Sequence, residues 1–246
     1  MTPTENFISH LIELRNRLLR IVIGFVIVFI ILFPFANEIY ALLAAPLLSE
    51  LPTGGQMIAT AVTTPFFVPM KVAMMTAFVL SLPHTLYQIW SFVAPGLYAH
   101  EKKFMIPIIV ASSFLFLAGM TFAYFLVFPV IFGFIVGTAP EGVAVMTDIG
   151  NYLDFVITLF FAFGLAFEVP IAVVMAVRFG WVTIDALKEA RGYVVVGAFV
   201  IAAVVTPPDV ISQFMLAVPM WLLYELGIVV AKFTSDGSES NILPPA

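Results

Sequence analysis

Long apolar stretches set off by short polar ones give this chain its plan. Leu18–Ala36 is the first, with Pro34 near its far end, and Val72–Ser91 follows, interrupted by Pro83. Met105–Val136 is the longest. At about 1.5 Å per residue it reaches about 48 Å as helix, so the pattern predicts tilt, projection from the bilayer, or a kink at Pro107 or Pro129. Tyr152–Val177 is a fourth span. Two shorter runs close the series, Tyr193–Thr206 and Val210–Leu223, the second continuing as a span to about residue 231. The turn Pro207-Pro208-Asp209 joins them. Each short run makes only about 21 Å of helix against a hydrocarbon core about 30 Å thick, and local bilayer thinning is the cheap accommodation.

The segments between are also patterned. Phe7–Arg20 reads as an amphipathic helix ahead of the first span, with Phe7, Leu11, Leu14 and Leu18 along one face and the i,i+4 pair Glu13 and Arg17 elsewhere on it. Such a helix suits an interfacial anchor. In Asn37–Pro69, NEIYALLAAPLLSEL has helical spacing broken at Pro46, and Pro52-Thr53-Gly54-Gly55 marks a turn. Short helices lying over the bundle on its outer side are expected there. Ser91–Phe104 and Arg178–Gly192 are polar loops. Residues 1–233 therefore form one six-span membrane domain, and 234–246, rich in Ser, Asp, Gly and Glu at its start, is expected to be a disordered tail. Asn241–Ala246 is compatible with an appended remnant.

Composition agrees with the pattern. The chain is 62% hydrophobic and 10% charged, where soluble domains carry about 25% charged residues, so it is an integral membrane protein. With no cysteine it has no disulfide, thiolate metal site or cysteine nucleophile. The first apolar run lacks a small-residue cleavage site and reads as a retained span. Nine of the ten cations lie on one side: Arg15, Arg17, Arg20, Lys102, Lys103, Arg178, Lys188, Arg191 and Lys232; only Lys71 lies on the other. The positive-inside rule makes that side cytoplasmic, with both termini on it.

The available chemistry is sparse. Motifs for a serine-hydrolase elbow, a zincin or a phosphate-binding loop are absent, and His100-Glu101 lacks the second histidine of a zincin because Phe104 stands there. His10, His84 and His100 are scattered and read as interfacial or capping residues. Polar residues against the apolar background remain: Glu13, Glu101 and Glu189 among the cytoplasmic cations, and Glu168, Thr206, Gln213 and Glu225 within spans. Glu168 lies fourteen residues after Asp154 and ten before Arg178, in a run otherwise without charge. A carboxylate at mid-membrane depth costs at least about 2.5 kcal/mol, so its default reading is functional. A proton-coupled secondary transporter using Glu168 and a scaffold that seats other membrane helices both fit these residues. No internal repeat favours the transporter.

Several longer motifs add a resemblance. SHLIELRNRL at Ser9–Leu18, FANEIY at Phe35–Tyr40, APLL at Ala45–Leu48 and FVAPGLYAHEKK at Phe92–Lys103 resemble the TatC family, the six-span core receptors of twin-arginine protein translocation. So do TAPEGV at Thr138–Val143, FGLAFEVP at Phe163–Pro170 and TPPDVISQ at Thr206–Gln213, in the expected order over about residues 7–233. The likeness is to the proteobacterial form. It implies an all-α concave bundle of six transmembrane helices in the bacterial inner membrane, not an enzyme, with short helices five and six and an outer-side helical cap. It also implies that Glu101, with Phe92 and Pro95 shaping its loop, and Glu13 with Leu14 and Arg15, contact the paired arginines of signal peptides on folded cargo. Thr206 and Gln213 match polar positions where the single-span partners TatB and TatA dock; Ala203 departs from the usual residue of that cluster. Pro46 matches an outer-side proline tied to complex function. Glu168 becomes a polar seat for a partner helix or the passing peptide. Other copies of the chain are expected in the receptor complex. The protonmotive force drives transport, and no nucleotide, metal, other cofactor or nucleic acid is implied.

Overall fold

The computed structural model describes residues 3–50, 56–93, 105–138, 146–206 and 210–239, and within them the regular structure is helical. In chain order the helices are α1 (Pro3–Leu32), α2 (Ala36–Glu50), α3 (Thr64–Val93), α4 (Met105–Phe122), α5 (Phe128–Gly137), α6 (Ile149–Arg178), α7 (Ile184–Glu189), α8 (Arg191–Val205) and α9 (Val210–Glu239). Five apolar helical stretches are long enough to cross a bilayer: Ser9–Ser49, Thr64–Ile89, Ile106–Gly137, Ile149–Arg178 and Val210–Thr234. Arg191–Val205 is the shorter sixth, and its 15 residues span only about 22 Å.

Four expectations need correction. The amphipathic segment and the first span are one helix, because no proline interrupts the chain between Pro3 and Pro34; at Pro34 it only tightens into the 3-10 turn Phe33–Phe35. Pro46 does not break α2. It is buried inside it, flanked by the buried Leu43, Ala44 and Leu47, and its carbonyl accepts the Ser49 hydroxyl at 2.8 Å. The long third span relieves itself by a π turn, Ala123–Val127. Pro129 lies two residues beyond, and its ring crowds the carbonyl of Phe125, four residues back, so the ladder widens there instead of kinking at the proline. Finally, α9 continues through Thr234–Glu239, where the composition suggested a disordered tail. The Thr234 hydroxyl donates to the Val230 carbonyl at 2.9 Å as the ladder runs on past the apolar stretch.

The chain divides into two compact units. The first holds α1, α2 to Ser49, α3, α4 to Ser113 and residues 146–153. Here α1 packs along α3. Gly24 makes room for it: a Cβ at that position would come within 2.8 Å of the His84 ring. Next to it, His84 Nε2 donates to the Arg20 carbonyl at 3.2 Å. On the outer side, Ile58 and residues 147–149 form a short bridge, with Ile58 donating to Thr147 at 3.0 Å and Ile149 donating to Ile58 at 2.9 Å. The Tyr152 hydroxyl donates to the Leu43 carbonyl at 2.8 Å and ties α2 to the start of α6.

The second unit holds the remainder of α4, the π turn, α5, α6 from Asp154, and α7 to α9. Its core is aromatic. Phe128 and Phe163 are fully buried, Phe128 lies 5.0 Å from Phe160 between ring centroids, and Phe122 lies 5.6 Å from both Phe163 and Phe167. Glycines let the backbones approach, since a Cβ on Gly119 would run into the Phe163 carbonyl and one on Gly164 into the Phe116 ring at 2.6 Å. Close approach through small residues is how helices associate where apolar burial gives no drive. At the other end Tyr224 donates to the Leu187 carbonyl at 2.8 Å, and Arg191 pairs with Glu225 at 2.7 Å. Glu225, a polar residue within a span by sequence, is thus held by the arginine that opens α8.

Candidate functional site

The N-terminal half of α1 and the C-terminal end of α3 carry the best-defined site. Both Arg17 Nε, at 2.9 Å, and Arg17 Nη2, at 2.6 Å, donate to Oε1 of Glu13. The arginine side chain is 19% exposed and the glutamate 35%. The carboxylate is therefore oriented but reachable, and its second oxygen has lone pairs to offer. Phe92, in the last turn of α3, stacks on His10 with centroids 4.3 Å apart and planes at 21°. Arg15 is exposed and donates to the Asn16 side chain at 3.2 Å; Leu14 is 45% exposed. The structure thus gathers Glu13, Leu14, Arg15 and Phe92 on one pair of helices. Glu101 and Pro95 lie outside the described residues.

The leucine face of α1, read as that of an interfacial anchor, stays on the outside of the folded unit. In the folded unit it is the other face that turns inward. Leu11, Leu14 and Leu18 are exposed, as an interfacial anchor requires, while Glu13, Arg17, Ile21, Gly24 and Val28 are half-buried. These five positions recur at heptad-like spacing, with a charged pair at one end and Gly24 within the stripe.

The remaining candidates are dispersed. Glu168 is half-buried in α6, two residues before the in-helix Pro170, and is engaged within the protein, so it is no bare carboxylate. Thr206 ends α8 with extended backbone; its buried hydroxyl donates to the Ala202 carbonyl at 2.8 Å, leaving only its lone pairs for a partner. Gln213 is half-buried in the first turns of α9, and Ala203 is exposed. Pro46 sits in α2, as above. Among the described residues no group of acidic, histidine or cysteine side chains is arranged to hold a metal ion.

A second carboxylate outside the spans was not foreseen as a site. Asp148 caps α6: its Oδ1 accepts from Gly150 N at 2.9 Å and Asn151 N at 3.0 Å. Its Oδ2 accepts from Thr60 N at 2.9 Å and from the Thr60 hydroxyl at 2.7 Å. The Asn151 amide and the two Thr60 donors, foremost among these bonds, hold its pKa down to about 2. An acid directly ahead of a helix's first turn is a readable cap; that Thr60 would reach it from 88 residues away was not.

Comparison with known proteins places this geometry in a family. The sequence profile of the "Sec-independent protein translocase protein (TatC)" family matches residues 9–219. The TatC protein of Azotobacter chroococcum is 55% identical over 221 residues, covering 90% of this chain and 87% of that one. That of Escherichia coli K12 is 52% identical over 230 residues, covering 94% and 89%. The fold matches a crystal structure of the twin-arginine translocase receptor TatC with a TM-score of 0.79 at 38% identity, over 92% of this chain and 99% of that one. These likenesses give the solute-transporter reading of Glu168 no support, and they are to a translocase component, not an enzyme. This multi-pass membrane chain belongs to the TatC family of protein translocase components.

Proposed function

We propose that the chain is the receptor and assembly scaffold of a twin-arginine translocase in a bacterial inner membrane. A folded cargo's signal peptide brings two arginines to the cytoplasmic face, where Glu13 and Glu101 accept them. A guanidinium fork matches a carboxylate with two parallel, charge-assisted hydrogen bonds, which a lysine cannot reproduce. Phe92 and Pro95 shape the loop that presents Glu101, and Leu14 and Arg15 complete the α1 side. The peptide's apolar stretch then enters the bundle, where Glu168 gives it or a partner helix a polar seat. TatB and TatA dock along the short spans at Thr206 and Gln213, further copies of the chain complete the complex, and Pro46 acts in it from the outer side. The protonmotive force drives the passage.

The observation that carries this reading is Glu13 itself: a carboxylate held in place by Arg17 through one oxygen, partly exposed, on a face of nine cations that would otherwise repel an arginine pair. Photocrosslinking of a twin-arginine peptide to the full complex tests it. Glu13→Ala and Glu101→Ala should each reduce the crosslink and the export of a twin-arginine cargo. Unchanged crosslinking and export in both variants would overturn the assignment.

A further inference from the structure

Among the described residues, one buried acceptor near this site has no partner. Gln88 in α3 is 5% exposed, and its Oε1 makes no hydrogen bond among the described residues. Buried polar atoms are satisfied in the great majority of cases, so an orphan of this kind asks which donor it is kept for.

Its position is fixed by contacts on either side. His84, Gln88 and Phe92 recur every fourth residue and share one face of α3. His84 meets Arg20 and Gly24 of α1, and Phe92 meets His10. On α1, His10, Glu13, Arg17, Arg20 and Gly24 follow 3–4 spacing and form the facing stripe. The helices run antiparallel, with about 12 Å of α3 from His84 to Phe92 matched by about 15 Å of α1 from Arg20 to His10. Gln88, midway, falls at the level of the Glu13–Arg17 pair.

Resting on the reading of Glu13 as a peptide contact, we propose that Gln88 receives Arg17 when a guanidinium of the bound peptide takes Glu13. Arg17 spends two donors on a single carboxylate oxygen of Glu13. An incoming arginine on the same carboxylate sets two cations side by side, which is unfavourable unless one withdraws. Arg17 is mostly covered already, and its long stem lets the head swing across the helix pair. Gln88 is too buried for a peptide to reach directly, but it lies where Arg17 can. The exchange satisfies the orphan oxygen and frees Glu13 for the fork of the peptide. Gln88 is thereby a positioning residue for recognition.

The test is a double-mutant cycle on the full complex in membrane vesicles, measuring the affinity of a synthetic twin-arginine signal peptide. Gln88→Met, which keeps length and helix propensity but removes the acceptor, should weaken binding about tenfold, as expected for a lost hydrogen bond to a charged group. Gln88→Glu should bind at least as tightly as the parent, since it draws Arg17 away from Glu13. In an Arg17→Ala background, Gln88→Met should have no further effect. Equal affinity for Gln88→Met and the parent overturns the proposal, as does the same tenfold loss without Arg17. The Glu13→Ala arm separates the two readings: if it binds like the parent, the site is wrong; if it weakens binding while Gln88→Met does not, only the exchange is wrong.

Discussion

Two carboxylates of the first unit sit outside the spans, and their surroundings could hardly differ more. Asp148 accepts four hydrogen bonds, two on each oxygen, from Thr60 and the first turn of α6. Glu13 accepts two, both on one oxygen and both from Arg17. The first carboxylate has nothing left to offer and is bonded mostly by backbone that cannot leave. The second is held by one flexible side chain and keeps an oxygen in reserve. A structural acid is saturated by its own fold, whereas a recognition acid is oriented but left open to exchange. Charge and exposure alone would not have separated them, since both are partly exposed acids.

The sharpest way to break this contrast is at Glu13. On the proposed reading its replacement by Ala removes a charge-assisted contact to the peptide and should cost about 2 kcal/mol of binding, roughly thirtyfold in affinity, with little change in the thermal stability of the protein. Isothermal titration of a twin-arginine peptide against the complex, paired with a melting curve, checks both halves. If melting fell and affinity held, Glu13 would belong with Asp148 as a structural group.

The next largest effect is expected where α1 meets α3. Gly24→Leu drives a branched side chain into the His84 ring, and overpacking of this kind costs roughly 1–3 kcal/mol. Because the same contact sets the register of Glu13 against Phe92, stability and peptide affinity should fall together. Melting temperature and peptide titration on one preparation would show whether they do; a loss of stability with full affinity would mean that the site does not depend on this packing.

How far the sequence could be read follows from the same pair of helices. The apolar runs disclosed the spans because a hydrocarbon layer leaves little choice of residue, and the cations disclosed their orientation. What stayed hidden depends on distance. Nothing in the spacing around Asp148 points to Thr60, and the ring of His84 lies against Gly24 only because two helices far apart in sequence turn out to be neighbours. Glu13 was found through the family motif SHLIELRNRL; the local pattern supplied only its i,i+4 partner Arg17. Leu11, Leu14 and Leu18 were read as the face of an interfacial anchor and are exposed, but which of the remaining residues α1 turns toward α3, Gly24 among them, shows only in the fold. Pro46 was read as a break and Pro129 as one of two sites for a kink, yet α2 runs on through the buried first and a π turn precedes the second. The orphan oxygen of Gln88 could not be read at all, being a property of what the neighbouring helix fails to offer.

Asp148→Ala inverts the Glu13 prediction. It removes both the α6 cap and the bonds to Thr60, so the melting temperature should drop and amide exchange at Ile58 and Ile149, the bridge beside it, should quicken. Peptide affinity at the opposite end of the spans should stay at the parent value. Thr60→Val, which keeps the backbone donor and loses only the hydroxyl, should show the same signs more weakly. A marked fall in peptide affinity in either variant would mean that the saturated carboxylate is coupled to recognition after all.

The smallest effect is expected from pH, and its sign follows from the bonds on Asp148. Its folded-state pKa, about 2, lies below the ordinary value of 3.8, so the charged form is the one the fold favours. The stability it contributes is therefore fully present above about pH 4 and is lost as pH falls from there through about 2. Between pH 8 and 5 the Ile58–Ile149 bridge should show no titration of its own, and Asp148→Asn, neutral at every pH, should flatten whatever acid dependence the parent shows below pH 4. Exchange rates at those two amides, followed from pH 5 downward in parent and variant, isolate this one group from the other carboxylates of the chain. An acid transition at the bridge that survived Asp148→Asn unchanged would assign the sensitivity elsewhere, and the picture of a carboxylate locked by four donors would lose its clearest signature.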